Sequence, residues 1–359
     1  MLGAKHLSGH KLSRLNVLSS LVSCILITGK SELRQMALGS AKRTQFASRV
    51  KQMKRWLLNE QVDYQTYYLP FVEPLLKALS VSGELVFSID GSVVGKGCMA
   101  LMFSVIYRGK AIPIVWKVYQ AKKGHLPEQE HRELLNRLSK LVPQDCRIVI
   151  VGDGEFDGCD WQADILDQGW DYVLRTGKGV SIMEQENVFK LGWVCVQPDQ
   201  SLFFEEVYFT AKRLMVNILV WQGKGFKAPL YLVTNLDYDK EIQRFYKKRF
   251  KIEPFFRDQK SKGFHIQRSG LRDPQRLAKL LIATCLAYTL SIMAGVKALQ
   301  SKFYSEIART DGQFLSLFQL GYRFLILLVD IRQWRTFSWI KDFPPEPKYL
   351  YESEICVPF

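Results

Sequence analysis

Closely spaced cysteines and histidines are missing from this chain of 359 residues. No two of its seven cysteines are separated by only two residues, and its five histidines are scattered along the sequence. A zinc site needs clustered Cys and His ligands and a disulfide scaffold needs paired cysteines, so neither is expected. The cysteines are predicted to be small buried apolar side chains in a reducing cytosol.

Long uninterrupted apolar runs are also few, and no membrane partner is expected. Serines interrupt the run at 17–27, and no small-residue cleavage site follows it. The run at 280–296 lies at the lower limit of length for crossing a bilayer and contains Thr284, Tyr288, Thr289 and Ser291. We therefore predict a buried core helix at 280–296.

Acidic residues are nearly absent from the first sixth of the chain. Residues 1–56 contain eleven Lys or Arg and one acid, Glu32, which places two-thirds of the formal net charge of +15 in this segment. Apolar residues such as Leu15, Leu18 and Val22 lie between these charges. The mixture predicts short amphipathic basic helices that bind DNA, although a merely solvated charged face has the same composition.

A phosphate-binding loop for a nucleotide is not present. The segment 91–97 has glycines and Lys96, but it has one residue too few before its second glycine, and no Ser or Thr follows the lysine. No nucleotide cofactor is expected.

Hydrophobic periodicity predicts an α/β core. Residues 85–90 alternate as a strand, 100–107 and 112–119 are two strands joined by a hairpin turn at Arg108-Gly109-Lys110, and 147–151 is a buried strand. Helices are predicted at 127–142 and 160–167, and a further strand at 172–174. The order β-β-β-α-β-α-β makes the first three strands a meander, and the crossover helix returns the fourth strand parallel to the first.

Two acids follow neighbouring strands in this arrangement. Asp90 ends the first predicted strand, and Asp153 ends the fourth within Gly152-Asp153-Gly154-Glu155-Phe156. Ligand sites of open α/β sheets lie beyond the carboxyl ends of the strands, so these carboxylates have a geometric reason to share metal ions. Taken alone, Asp90 is better explained as a strand-end acid and Asp153 as a turn residue between glycines, and only their combination with Glu253 favours a functional site.

Four further residues form a stripe on a predicted helix. Tyr246, Arg249, Glu253 and Lys260 are separated by three, four and seven positions, which gives nearly one azimuth. A carboxylate flanked by two cations and a phenol suits metal and phosphate binding. Pro254 directly follows Glu253, so we expect Tyr246, Arg249 and Glu253 to end one helix and Lys260 to lie on a second.

With these motifs, the sequence resembles the DDE transposases of the insertion-sequence-four family. The spacing Y-x2-R-x3-E-x6-K at Tyr246, Arg249, Glu253 and Lys260 matches that family's signature, and the segment around Asp153 is similar to its D-G-x-F block. The match covers roughly residues 80–300 by motif and element order. The amino-terminal region is similar only in its position and charge.

The resemblance implies a fold and a reaction. The fold would be an RNase H-like catalytic core with a β-rich insertion, an N-terminal helical domain and C-terminal helices. Asp90, Asp153 and Glu253 would bind two Mg²⁺ ions, for which Mn²⁺ may substitute, and these ions would support in-line displacement at phosphorus. The reaction would be cut-and-paste transposition, with cleavage at the element ends and strand transfer into target DNA.

The resemblance also implies partners and DNA contacts. Tyr246, Arg249 and Lys260 would contact phosphates near the cleaved end, and a tryptophan of the insertion would stack on a flipped base. Trp221 is the first candidate for that role and Trp193 the second, and a buried core position is the alternative for either. The partners would be double-stranded DNA, as inverted-repeat ends and target, and a second copy of the chain in a homodimer. A bacterial cytoplasm, at the nucleoid, is the expected location.

The composition shifts divide the chain into five predicted regions. They are a basic helical DNA-binding domain (1–78), the first part of the core (79–176), the β-rich insertion (177–236), the second part of the core (237–300), and C-terminal helices with a proline-containing tail (301–359). Two other functions fit the same residues: a structure-directed nuclease on the RNase H-like fold, and a non-catalytic DNA-binding relative with vestigial acids.

Overall fold

The computed structural model of the chain describes residues 7–121, 126–308 and 315–331. The helices are α1 (Gly9–Thr28), α2 (Leu33–Leu38), α3 (Phe46–Leu58), α4 (Tyr64–Tyr67), α5 (Leu69–Ser80), α6 (Glu128–Ser139), α7 (Cys159–Asp167), α8 (Asp239–Arg249), α9 (Ile252–Gln259), α10 (Pro274–Ala298), α11 (Tyr304–Ile307) and α12 (Leu317–Asp330). The strands are β1 (Glu84–Gly95), β2 (Cys98–Tyr107), β3 (Lys110–Gln120), β4 (Arg147–Gly152), β5 (Asp171–Thr176), β6 (Ser181–Glu184), β7 (Asn187–Lys190), β8 (Gln200–Phe209), β9 (Leu214–Gln222) and β10 (Leu230–Thr234). Short 3₁₀ turns occur at Leu191–Trp193 and Ile266–Arg268.

The strands form one sheet of ten in the order β3-β2-β1-β4-β5-β10-β9-β8-β6-β7. Its first five strands have the predicted arrangement: β1, β2 and β3 are antiparallel neighbours, and β4 lies parallel to both β1 and β5. This is the mixed sheet of an RNase H-like core, and the predicted element order is confirmed.

The hairpin between β2 and β3 shows how local sequence fixes this topology. Tyr107 pairs with Lys110, and the two residues between them, Arg108 and Gly109, have φ angles of 46° and 68°. Two consecutive left-handed residues make the type I′ turn, whose twist matches that of the flanking strands. The predicted hairpin is therefore confirmed.

The β-rich segment 177–236 continues the core sheet. Strand β10 pairs antiparallel with β5 on one side and with β9 on the other, and β8, β6 and β7 follow outward. The segment therefore contains strands as predicted, but they extend the central sheet instead of closing on themselves, because β5 offers an unpaired edge for β10.

The N-terminal helices share the hydrophobic core of the sheet. The Tyr68 hydroxyl, fully buried, donates to the Pro113 carbonyl of β3 at 2.7 Å, and its ring packs edge-on against Trp116 at 4.7 Å. On the C-terminal side, Lys279 Nζ of α10 donates to the Asn59 carbonyl at 2.8 Å. Helices are present in the basic segment as predicted, and they pack onto the sheet.

Two helices, α1 and α10, are long and apolar enough to cross a membrane by length and composition alone. In α10, 72% of the most apolar window is buried inside the protein, so the predicted core helix is confirmed. In α1, 33% of the window is buried, and Leu18, Leu21 and Ile25 are among the residues that face the rest of the fold. A capping box at Ser316 and Gln319 begins α12, and the prolines predicted for the tail lie outside the described residues.

Helices α10 and α12 cross at two glycines that allow backbone contact. A Cβ at Gly321 would lie 1.7 Å from the Ser291 carbonyl oxygen, and one at Gly295 would lie 2.1 Å from that of Leu317. These distances leave no room for a side chain, since the obstacle in each case is backbone and cannot rotate away.

We expect Gly321→Ala to lower the free energy of unfolding by about 1–3 kcal/mol through overpacking of this crossing. Urea denaturation of the purified chain measures the effect. Gly177→Ala is the control, because its Cβ would meet nothing within 4 Å. An equal loss in both variants would contradict the close helix crossing.

Candidate active site

The parallel register of β1 and β4 brings Asp90 and Asp153 together. The last pair in this register is Ser88 with Val151, and each acid lies two residues further along its own chain. Side chains two residues apart share a face, and neighbouring strands are about 5 Å apart. The two carboxylates therefore lie side by side on one face, as predicted.

The prediction that Asp90 ends its strand is wrong. Strand β1 continues to Gly95, because its far half pairs with β2 after the pairing with β4 has stopped. Asp153, in contrast, directly follows β4 as predicted. The site thus lies where β1, still paired with β2, continues past the end of its parallel neighbour β4.

The environment of Asp90 disfavours its negative charge. Burial, followed by the neighbouring Asp153 carboxylate and to a smaller extent Glu253, raises the pKa of Asp90 to about 7. The Arg249 guanidinium and the Gly91 N–H, which donates to Asp90 Oδ1 at 2.7 Å, act in the opposite direction. Asp153, Glu253 and Arg249 are therefore all close enough to Asp90 to interact with its charge.

Helices α8 and α9 cover the face of the sheet that carries the two aspartates. Both pack against β1, and α8 also packs against β4. The predicted break in the motif helix exists, but its position differs: α8 ends at Arg249, and Glu253 lies with Pro254 in the first turn of α9. A proline in a first turn removes no intrahelical hydrogen bond, so the chain breaks before Glu253 and not after it.

Across this break, Arg249 still reaches Glu253. Its Nη2 atom donates to Glu253 Oε1 at 2.9 Å, while the Glu253 side chain is 57% exposed. Arg249 itself is 7% exposed, and its guanidinium lies over the Phe250 ring at 4.2 Å. Packing thus fixes the arginine, and its hydrogen bond holds the Glu253 carboxylate at the edge of the site.

Tyr246 lies beneath the same surface. Its side chain is 1% exposed, its ring packs edge-on against Phe250 at 5.7 Å, and burial raises the pKa of its hydroxyl. Tyr246 and Arg249 are therefore near the aspartates as predicted, but both are covered in the isolated chain. Their contact with phosphate stays a prediction.

Lys260 joins the site through a residue that the motif did not indicate. Its Nζ donates at 2.6 Å to the hydroxyl of Ser92, which lies on β1 two residues beyond Asp90. Because alternate residues of a strand share a face, the positions of Asp90 and Ser92 were the available signal for this contact. The lysine lies after the end of α9, on the second segment as predicted.

Three other acids near Asp153 are engaged in supporting contacts. Asp157 accepts from Thr176 Oγ1 at 2.5 Å, Glu155 accepts from the backbone N–H of Leu126 at 2.9 Å, and Asp160 pairs with Lys212 at 2.7 Å. These bonds fix the loop that follows β4 against β5 and α6. They also leave Asp153 as the acid of this segment that faces Asp90.

The donor set fits a divalent cation in part. Within residues 7–121, 126–308 and 315–331, no group of three or more His, Cys, Asp or Glu side chains is arranged to hold a metal ion. Asp90 and Asp153 are two adjacent carboxylates whose mutual repulsion a cation would relieve. Glu253, the third predicted ligand, is bonded to Arg249 and points partly to solvent.

The two candidate tryptophans differ in exposure. Trp221, on β9, is 7% exposed and packs against Phe226 at 5.0 Å, with Lys247 Nζ 5.7 Å from the ring centre. Trp193, in the turn Leu191–Trp193, is 70% exposed. A base needs an open ring face to stack on, and of these two rings that of Trp193 is open whereas that of the first candidate, Trp221, is covered.

We expect Asp90→Asn to stabilise the fold in the absence of divalent ions, by about 1–3 kcal/mol at pH 8, because the amide removes a buried charge next to Asp153. Thermal unfolding in EDTA measures the change. Mg²⁺ should then raise the melting temperature of the parent and not that of the variant. The exposed Asp167→Asn is the control, and a loss of stability in Asp90→Asn would contradict the repulsion.

Comparison with known proteins agrees with this architecture. The model of the family described as the transposase DDE domain matches residues 84–290, which is more than half of the chain.

Among solved structures, the chain is similar to the piggyBac transposase in the cryo-EM structure of its synaptic complex with hairpin DNA. The sequence identity is 10%, the TM-score is 0.48, and the alignment covers 97% of this chain and 81% of that chain. No curated protein matches the chain. The family match covers β1 to β5, the strands β6–β10, and helices α8 and α9, and on that basis the chain belongs to the transposase DDE domain family.

Proposed function

We propose that the protein is the DNA transposase of a bacterial insertion sequence. It would bind terminal inverted repeats, cleave the DNA at the element ends and transfer the freed strands into target DNA by cut and paste. The observation that carries this proposal is the pair of carboxylates, Asp90 and Asp153, held side by side by the register of β1 and β4. Membership of the DDE domain family supports the reaction class.

Asp90, Asp153 and Glu253 are the proposed metal ligands. When bound, two Mg²⁺ or Mn²⁺ ions would activate a water or a 3′-hydroxyl and stabilise the leaving oxygen at phosphorus. Arg249 holds the Glu253 carboxylate at the edge of the site through the bond at 2.9 Å. The half-exposed position of Glu253 supports its role as the ligand that completes the set once DNA is present.

The remaining motif residues are proposed to position DNA. Lys260 lies beside the aspartates through Ser92 and would contact a phosphate next to the scissile bond. Tyr246 and Arg249 would do so after a rearrangement that exposes them. The spacing of these residues supports assignment to the insertion-sequence-four family, and the exposure of Trp193 supports this residue as the platform for a flipped base.

The protein is also proposed to bind the inverted repeats as a homodimer at the bacterial nucleoid. The excess of basic residues in segment 1–56 supports binding to the inverted repeats, since neutralising phosphates drives association with duplex DNA. Two copies of the chain would hold the paired ends as a homodimer. The protein would act at the bacterial nucleoid, in the cytoplasm.

Asp90→Ala and Glu253→Ala should lower cleavage of DNA that carries the sequences flanking the gene by at least about a hundredfold, since each removes a metal ligand. Gel analysis of cleaved and strand-transfer products with Mg²⁺ measures this. Binding of the same DNA without metal should remain, and Asp167→Ala should behave as the parent. Loss of binding together with cleavage would show that the acids serve the fold.

The same assay separates the two other functions. A structure-directed nuclease would cut the DNA without producing strand-transfer products. A non-catalytic relative would bind the DNA, and neither Mg²⁺ nor Mn²⁺ would produce cleavage.

We expect Trp193→Ala to affect DNA cleavage and Trp221→Ala to affect stability. The first should reduce cleavage at a DNA end about tenfold at unchanged stability, because it removes an exposed stacking surface. The second should lower the free energy of unfolding by about 3–5 kcal/mol, because it opens a cavity under β9. Cleavage assays and urea denaturation on both variants measure this, and full activity in Trp193→Ala would exclude it as the stacking platform.

A further inference from the structure

A small cavity lies where the N-terminal helices meet the segment that follows Lys260. Its volume is about 250 Å³. One wall is formed by Lys30, Ser31 and Glu32 of the turn between α1 and α2 and by Gln35 of α2, and the other is formed by His265 and Arg268 of the turn that precedes α10. A Cβ at Gly29 would lie 3.9 Å from the Gly263 carbonyl oxygen, so the two chain segments are in direct contact beside it.

Two polar groups in this cavity lack partners. Ser31 is 0% exposed, and its hydroxyl makes no hydrogen bond to any described residue. The Nδ1 atom of His265 is also buried and has no partner in the same set. Buried polar atoms without hydrogen bonds are costly, and these two belong to the lining of the same cavity, so both are available to a ligand that carries oxygen atoms.

The charges around the cavity favour an anion. Burial, followed by the positive charges of Lys30 and Arg268, lowers the pKa of His265, so both cations lie near its imidazole. Within the described residues, neither cation forms a salt bridge. Glu32 is the one acid among the lining residues, so the walls carry a net positive charge.

From these contacts we infer that the cavity is a phosphate-binding pocket, which takes a phosphodiester of the DNA that lies across the catalytic face. Arg268 and Lys30 would supply charge-assisted hydrogen bonds, and Ser31 and His265 would donate the bonds that they now lack. The pocket begins five residues after Lys260, whose Nζ donates to Ser92 beside Asp90, so a duplex that contacts the pocket would also pass near the aspartates. The inference rests on the proposed function in so far as DNA is the polyanion.

Binding is tested on the full chain in EDTA, so that catalysis plays no part. Fluorescence anisotropy with a duplex from the gene's flanking sequence is measured at several NaCl concentrations. Arg268→Gln should weaken binding about tenfold and reduce the slope of log K against log[NaCl] by about 1. Arg272→Gln is the matched control, because it removes an equal charge four residues away, outside the cavity wall, and should leave both quantities unchanged.

Two further variants separate a ligand site from a structural one. Ser31→Ala should weaken binding about threefold while the melting temperature stays equal or rises, because it deletes a hydroxyl that is unsatisfied without ligand. Glu32→Gln should strengthen binding about threefold, because it removes a negative charge that faces the phosphate. A purely structural role predicts that both variants lose stability and affinity together.

A second probe, inorganic phosphate, tests the pocket independently of DNA. Phosphate should shift the NMR signal of one histidine, identified as His265 by its loss in His265→Gln, and Arg268→Gln should abolish the shift. If no histidine signal moves, the pocket proposal is wrong. If the signal moves but the variants leave DNA affinity unchanged, the pocket takes a free anion and its assignment to DNA is wrong. If the parent binds phosphate but no DNA, the proposed function fails and the anion pocket stands.

Discussion

The repulsion between two carboxylates is imposed on this fold by the register of its central strands. Ser88 and Val151 are paired, and the residues two positions beyond them, Asp90 and Asp153, must then share a face. Asp90 lies within β1 and Asp153 directly follows β4, and both strands are buried in the middle of the sheet, so neither acid can move far without disturbing these strands. The fold therefore keeps two acidic side chains close together, and the apolar packing around them offsets the unfavourable free energy of their repulsion.

Two helices over this face of the sheet add Arg249 and Glu253 to the pair of aspartates. Pro254 separates the motif into two helices, so that Arg249 ends one and Glu253 begins the next. This break turns the carboxylate toward solvent while the guanidinium remains under the surface, stacked on Phe250. The third acid is thus the adjustable member of the set, whereas the first two are fixed by the sheet.

Much of this could be predicted from the sequence. The glycine-containing turn at 108–110, the alternation at 85–90 and the helix at 280–296 are local signals, and each produced the expected element. The outcomes that could not be predicted depend on partners distant in sequence. Strand β1 is longer than its pattern because β2 pairs with it, and β10 joins the sheet because β5 has a free edge. The burial of Trp221 and the contact between Lys260 and Ser92 depend in the same way on where other elements pack.

The N-terminal helices and the sheet share one hydrophobic core, which fixes the distance between the surfaces that they carry. Tyr68 and Lys279 join these regions through hydrogen bonds, and Trp116 joins them through ring packing. A basic surface attached in this way stays at a constant distance from the aspartates, unlike one that is connected through a flexible linker. The dimensions of the protein would then set the number of base pairs between a bound sequence and the point of cleavage.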